Sequence, residues 1–323
     1  MVLKLLKVFF SNIHDRLFVF ISKQRVFEYF LILRTYFLDL FNYKNVFNEI
    51  NSQIEMGIQL PKSIEIETIN RCNGLCSFCP INKNLDERDL TIMDENLFKK
   101  ILSQLKEINY SGNIGLYSNN EPFLDKRIVR FIKMAKEALP NAYHFLFTNG
   151  TILTLENFVD VMDYLDLLII DNYNDDLEMI APVKKIYDYC LEHNEYQKKV
   201  EIDLRLQNQI LFSRGGEAKN RKRFNRMKSS CVTPFNQMVI RPSGEVSLCC
   251  NDALGKMTLG NLNNESFLDV WYGEKYTKIR EKFHQQKYAR ENLELCKNCD
   301  GAPLTSDNLF SFPEKEDIVK KWK

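Results

Sequence analysis

The stretch TINRCNGLCSFCPIN, residues 68–82, sets three cysteines at Cys72-x3-Cys76-x2-Cys79. It follows directly on SIEIETI (63–69), whose strict alternation predicts a strand. At a frequency of nine cysteines in 323 residues, one such triple arises by chance with a probability of ~0.007. The spacing is therefore a signal. Thiolates bind soft metals, and a loop this tight can wrap three of them around one cube of iron and sulfur. Three ligands rather than four is the informative number, because a four-iron cluster so held keeps one iron open to another molecule. A zinc ion that borrows its fourth ligand from elsewhere is the alternative the spacing allows.

Outward from this loop the pattern repeats. NIGLYS (113–118), AYHFLF (142–147), DLLIID (166–171) and VEIDLRL (200–206) read as strands, with helical stretches near 94–107, 125–138, 153–164 and 177–194. That succession predicts an α/β fold with a parallel sheet of βα units, open or closed toward a barrel. The site then lies at the C-terminal ends of the strands, where Asp171-Asn172-Tyr173-Asn174 ends the fourth. In the fifth strand, Glu201, Asp203 and Arg205 share one face and Val200, Ile202 and Leu204 the other. Helices cover the outer face of such a sheet, so the charged face points into the lumen. There the three are candidate substrate contacts or a base, or they pair with one another around buried water. Glu65 and Glu67 follow the same alternation on the first strand and, being near the cysteine loop, are candidates to orient substrate.

The totals exclude other classes. Net charge is +1, which argues against nucleic acid as a partner. Hydrophobic residues at 45% are ample for a packed core. An odd count of nine cysteines with no secretory cleavage pattern argues for metal in a reducing, cytoplasmic compartment over a disulfide framework. None of the four histidines pairs with a cysteine at zinc-finger spacing. Residues 1–60 form a helical extension dense in Phe, Leu and Tyr, before a core expected at 61–225 and a smaller module at 226–323. Residues 1–25 carry five basic residues against one acid, Asp15, and no uncharged apolar run approaches the ~18 residues of a membrane span. They read either as a helix lying on a membrane surface or gripping a partner, or as an extension packed on its own domain.

The module from 231 holds a second constellation. Cys231-x12-Gly244-x4-Cys249 precedes Cys296-x2-Cys299. Four thiolates close a metal site, and spacing alone separates zinc from iron poorly. PSGEVSLCC (242–250) reads as a hairpin with Pro-Ser-Gly at its turn. Consecutive strand residues point to opposite faces, so Cys250 is expected to face away from the site that Cys249 faces. It is either a small buried hydrophobe or a thiol that hands a hydrogen atom to a substrate radical. Cys190, in KKIYDYCLEH, reads as core. The connector RGGEAKNRKRFNR (214–226) is either a solvated basic loop or, at Arg214-Gly215-Gly216, a backbone nest for an anion.

The triple with Phe78 before its third cysteine, in a loop after a first strand, resembles the signature of radical SAM enzymes. SNNEP (118–122) stands where that family has Gly-Gly-Glu-Pro, matching at Glu121 and Pro122 with Asn119 and Asn120 in place of glycine. Asparagine tolerates the left-handed backbone such a turn can demand. FTNGT (147–151) resembles the family's third-strand end, with Thr148 or Asn149 free to cap the next helix and Gly150 for a tight turn. The resemblance implies a partial (β/α)6 barrel and S-adenosylmethionine (SAM) on a [4Fe-4S] cluster held by Cys72, Cys76 and Cys79. Phe78, Asn119, Asn120, Glu121, Thr148 and Asn149 would contact SAM, with Glu121 at its amino group.

The second constellation resembles the SPASM or twitch extension of these enzymes. It implies an auxiliary [4Fe-4S] cluster on Cys231, Cys249, Cys296 and Cys299, in the one-cluster form found in radical SAM dehydrogenases of aminocyclitol biosynthesis. The implied reaction is oxidation of a secondary alcohol on a sugar or aminocyclitol, with electrons supplied by flavodoxin or ferredoxin. Radical epimerisation with Cys250 as hydrogen donor, peptide maturation, and a non-catalytic metal module that binds a partner are the alternatives.

Overall fold

The computed structural model describes residues 26–312 apart from 228, 286–287 and 302–303; the helix expected at residues 1–25 lies outside these. A long helix, α1 (Val26–Glu55), leads into β1 (Ser63–Ile66). There follow α2 (Glu95–Glu107), β2 (Asn113–Gly115), α3 (Ile128–Ala138), β3 (Tyr143–Thr148), α4 (Leu155–Met162), β4 (Leu167–Tyr173), α5 (Ala181–Glu192) and β5 (Val200–Arg205). The C-terminal part adds a short α6 (Thr233–Asn236), β6 (Gln237–Ile240), β7 (Glu245–Ser247), β8 (Thr258–Asn261), α7 (Phe267–Trp271), α8 (Glu274–Gln285) and α9 (Ser306–Phe310).

The helices form where the apolar period predicts them. Leu97, Phe98, Ile101, Leu102 and Leu105 bury one stripe of α2, and Asp94 caps its N-terminus by accepting from Asn96 N and Leu97 N. Phe98 stacks on Phe131 of α3 at 4.3 Å. The outward residues Ile64 and Ile66 of β1 join this core, while Ser63 and Glu65 face a cavity on the other side.

All strands belong to one sheet in the order β5-β4-β3-β2-β1-β6-β7-β8. β1 to β5 run parallel, with helices between them, as expected. The sixth parallel strand is β6, which pairs with the opposite edge of β1, Ser63 beside Gln237 and Ile66 beside Ile240. The six parallel strands thus comprise five of the βα core and one of the C-terminal module. Beyond β6 the sheet turns antiparallel through the expected hairpin, with Gly244 at φ +84°. The far half of α1 packs on this body: Val46 and Ile50 are fully buried, and Gln53 Nε2 donates to Asn236 Oδ1 at 3.4 Å. No helix among the described residues is long and apolar enough to cross a membrane.

Candidate active site

Two cavities lie on the inner face of the sheet, the first at the C-terminal ends of the parallel strands, the second reaching Ser63 and Gln237, the first residues of β1 and β6. The first, about 210 Å³, is lined by Cys72, Cys76 and Cys79 on one side and by Asn119, Asn120, Glu121, Thr148 and Asn149 on the other. The loop between β1 and α2 is pinned by Ser77 N to Gln207 O (3.0 Å), Cys79 N to Cys76 O (3.1 Å) and Lys83 N to Gly74 O (2.9 Å). Gly74 lies close under the thiols: a Cβ there would sit 3.3 Å from Cys72 Sγ and 3.9 Å from Cys76 Sγ. Burial pushes the Cys72 thiol up to about 12; it also raises Cys76, with the neighbouring Cys79 and Cys72 adding to the effect. Thiols crowded in this way are ones that a bound cation would deprotonate. Phe78 stands 5.7 Å from Tyr173, another wall residue.

Glu121 ties the strand ends together. Its Oε1 accepts from Thr148 Oγ1 (2.7 Å) and Phe123 N (3.2 Å), and its Oε2 from Asn149 N (2.8 Å). Burial raises its carboxyl to about 7 against these donors. Two expectations are corrected here. Neither Asn119 nor Asn120 has positive φ; each acts through its side chain instead, Asn120 Oδ1 accepting from Ser118 N (3.0 Å) and Asn119 Nδ2 donating to Cys250 O (3.0 Å). Thr148 and Asn149 do not cap the next helix. Thr154 does, accepting from Asn157 N at 3.1 Å, which leaves Thr148 for Glu121. Gly150 makes the expected tight turn at φ +71°, where a Cβ would meet Val183 Cγ2 at 2.6 Å.

The second cavity, about 390 Å³, is lined by Cys231, Cys249, Cys296 and Cys299 together. It shares Tyr117, Phe147 and Arg214 with the first, so the two are separated by one layer of side chains. Cys250 lines this cavity too, which corrects the expectation that it faces away from Cys249. β7 ends at Ser247, so strand alternation has stopped before the pair. Burial raises both thiols; Cys250 and the other three cysteines of the set add to the rise at Cys249, and Glu65 adds to it at Cys250 while Arg214 opposes it. Cys190 is buried in α5, as expected.

Glu201, Asp203 and Arg205 pair in register with Ile169, Asp171 and Tyr173, on the side of the sheet that faces the cavities. None of the three is a wall residue of either cavity. Arg205 reaches the site through Asp171, Nη1 to Oδ1 at 3.2 Å, and Asp171 does line the first cavity. Arg214-Gly215-Gly216 is no open nest. Gly216 N donates to Ser213 O, and a Cβ on Gly215 would meet Leu295 Cδ1 at 2.4 Å. The glycines let this chain lie against the turn that carries Cys296 and Cys299.

Arg290 escaped the sequence reading, and Arg214 and Glu65, singled out there as part of an anion nest and as a residue that could orient substrate, take more definite positions. Arg214 donates through Nη2 to Asn119 Oδ1 and to Cys250 O, while its Nε is buried without a partner. Glu65 accepts from Gln237 Nε2 at 2.7 Å through Oε1, and its Oε2 is buried without a partner. Burial, with a further push from Glu67, raises Glu65 to about 7, against Ser118, Arg214 and Gln237. Arg290 is buried beside the four cysteines, and its guanidinium donates to three carbonyls, of Ser229, Ser230 and Gly301. No carboxylate forms an ion pair with it among the described residues. Among those residues no group of three or more His, Cys, Asp or Glu converges as the ligands of one ion would; each cysteine set lines a cavity instead.

Residues 66–195 match the Radical SAM superfamily, and residues 231–300 match the iron-sulfur cluster-binding domain SPASM. The chain thus carries a radical SAM domain followed by a SPASM module. The radical SAM chain is 27% identical over 250 residues to the S-adenosyl-L-methionine-dependent 2-deoxy-scyllo-inosamine dehydrogenase of Niallia circulans, a match covering 77% of this chain and 96% of that enzyme. It resembles the crystal structure of BtrN in complex with AdoMet and 2-DOIA at a TM-score of 0.65 and 27% identity, covering 75% of this chain and 94% of BtrN. An open conformation of BtrN shares the fold at a TM-score of 0.56 and 24% identity, covering 75% and 92% of the two chains.

The family implies iron–sulfur clusters and SAM, and the residues present fit them. A buried guanidinium with only carbonyl partners is costly unless an anion lies beside it. A cluster with four thiolates is such an anion, and Arg290 lines its cavity. In the first cavity the unpartnered Asn120 Nδ2 and Arg214 Nε border the space left beside three thiols.

Proposed function

We propose that this chain oxidises a secondary alcohol of an aminocyclitol or related sugar. The observation that carries this reading is the thin partition: three thiols line one cavity, four line the next, and Arg214, Tyr117 and Phe147 belong to both. SAM and a [4Fe-4S] cluster on Cys72, Cys76 and Cys79 would supply a 5′-deoxyadenosyl radical that removes the carbon-bound hydrogen, and a second [4Fe-4S] cluster on Cys231, Cys249, Cys296 and Cys299 would take the remaining electron. The chain's own residues supply the rest. Arg214 orients the substrate hydroxyl by donating from Nε, its unpartnered atom. Glu65 takes the hydroxyl proton at Oε2; a carboxyl raised to about 7 is matched to that task near neutral pH. One hydrogen atom, one proton and one electron leave the alcohol, and a ketone remains. Glu121, Asn149 and Phe78 hold SAM in the first cavity.

The test is anaerobic reconstitution, then incubation with SAM, a reductant and 2-deoxy-scyllo-inosamine in heavy water. The expected product is the ketone, two hydrogens lighter, with one deoxyadenosine formed per turnover. A deuterium on the reacting carbon should appear in the deoxyadenosine. Absence of deoxyadenosine above background, with only zinc bound, would remove the radical reading altogether.

One observation favours a second reading. Cys250 lines the same cavity as Glu65 and Arg214, within reach of a substrate held there. If its thiol returns a hydrogen atom, the product keeps the substrate's mass plus one deuterium from solvent, and Cys250→Ala abolishes it. Under the dehydrogenase reading Cys250→Ala still forms ketone.

A further inference from the structure

The first half of α1 has an unusual surface. Between residues 26 and 43 every exposed residue is large and apolar or aromatic: Val26, Tyr29, Leu33, Tyr36, Phe37, Leu40 and Phe41, each 46–62% exposed. Spaced at three and four residues, they form a single stripe along the helix. The opposite side, with Phe27, Thr35 and Leu38, is buried. Contiguous apolar faces of this kind mark a surface that something covers.

What covers it is indicated by the charges around it. The part of the basic connector beyond Arg214, which the catalytic reading left unused, lies against this end of α1. Lys222 N donates to Glu28 Oε1 at 3.0 Å, and the Arg223 guanidinium sits over the Tyr29 ring at 5.2 Å. The side chains of Lys219, Lys222, Arg223 and Arg226 are exposed. Lys44, also exposed, lies one turn beyond Phe41. In sequence, the 25 residues before Val26 carry Lys4, Lys7, Arg16, Lys23 and Arg25 against Asp15 alone. An apolar stripe with tyrosines on it and basic side chains beside it matches the boundary of an anionic bilayer. Acyl chains there accept the Leu and Phe side chains, and headgroups accept Tyr hydroxyls and cations.

We propose that the exposed face of α1 and the basic loop at 219–226 form one docking surface for an anionic lipid bilayer, on which the protein lies without spanning it. Arg34, on the same helix, lines the large cavity. The docked face therefore belongs to an element that also walls the substrate site.

The full-length chain is mixed with vesicles of phosphatidylcholine alone, or with phosphatidylglycerol added, and centrifuged. Cosedimentation with the anionic vesicles is expected, weakening by about tenfold or more in high salt, as screened Lys and Arg contacts should. Leu33→Glu/Phe37→Glu/Leu40→Glu should abolish binding. Lys222→Glu/Arg223→Glu/Arg226→Glu, confined to exposed loop positions, should weaken it with the melting temperature unchanged. Three results overturn the proposal: no cosedimentation of the wild-type chain, equal binding to neutral and anionic vesicles, or undiminished binding by the stripe variant. A stable dimer in light scattering that the stripe variant dissociates would assign the face to a second copy and overturn it too.

Discussion

The two cysteine sets hold thiols by different means. Cys72, Cys76 and Cys79 lie on one short loop with local turns, which Gln207, Asn149, Thr151 and Asn220 pin from outside. Cys231, Cys249, Cys296 and Cys299 come from three separate segments and meet only because the hairpin, the 296–299 turn and Arg290 pack together. The first set faces unpartnered polar atoms of Asn120 and Arg214, the second a buried cation. A local loop of three leaves room for a ligand; an assembled set of four encloses its own. Under the proposed function, hydrogen abstraction falls to the first cavity and electron uptake to the second.

The largest expected effect separates the two sets outright. Cys79→Ala should reduce deoxyadenosine to the level of a control without enzyme while the second set still binds iron. Cys249→Ala should lose ketone while SAM cleavage persists. Chromatography of both products with iron analysis reads the pair; equal loss of deoxyadenosine in both variants would break the comparison. Next comes the partition. Arg214→Ala should lower ketone formation by about 10²-fold, the scale for loss of an aimed donor, with deoxyadenosine formation less affected.

Glu65 gives a pH test. Its carboxyl is raised from 4.5 to about 7 in the folded chain, so the fold holds this proton more tightly than the unfolded chain does. Its contribution to stability is then fully present below pH 4.5 and is lost as pH rises through 7, by about 3 kcal/mol in all. Thermal melts of the unloaded chain at pH 5 and pH 8 should show this loss together with that of Glu121, raised to the same range, and Glu65→Gln should reduce the difference without removing it. The smallest effect belongs to Arg290. Replacing it by Gln removes a positive charge beside the four-thiolate cluster, which should lower that cluster's midpoint by about 60 mV, a tenfold change in a one-electron equilibrium. A redox titration followed by electron paramagnetic resonance checks it; an unchanged potential would make Arg290 a packing residue.

What the sequence disclosed follows the same division. The triple was legible because its spacing is local, and the βα order was legible because alternation and helical period are local as well. The four-cysteine set was legible by count. Its surroundings were legible only in part: alternation singled out Glu65 and composition Arg214, but their partners, and Arg290 altogether, come from the pairing of β1 with β6 and from packing across the module. Cys250 was misjudged because a strand period was carried past the residue where the strand ends. Thr148 was misjudged because two kinds of partner competed for its hydroxyl: the N–H donors of a helix terminus several residues on, and a buried carboxylate one strand away that accepts from it.

The pairing of β1 with β6 also orders events in time. The residues that complete β1 follow it by more than 170 positions. At ~5–20 residues per second, that edge stays open on the ribosome for on the order of ten seconds or more. Throughout that interval the Cys72 loop exists without its full surroundings. Iron delivered early would meet thiols whose walls have not arrived. Loading therefore belongs after chain completion, and a chain truncated before residue 240 would lack the strand that closes the central edge of its sheet.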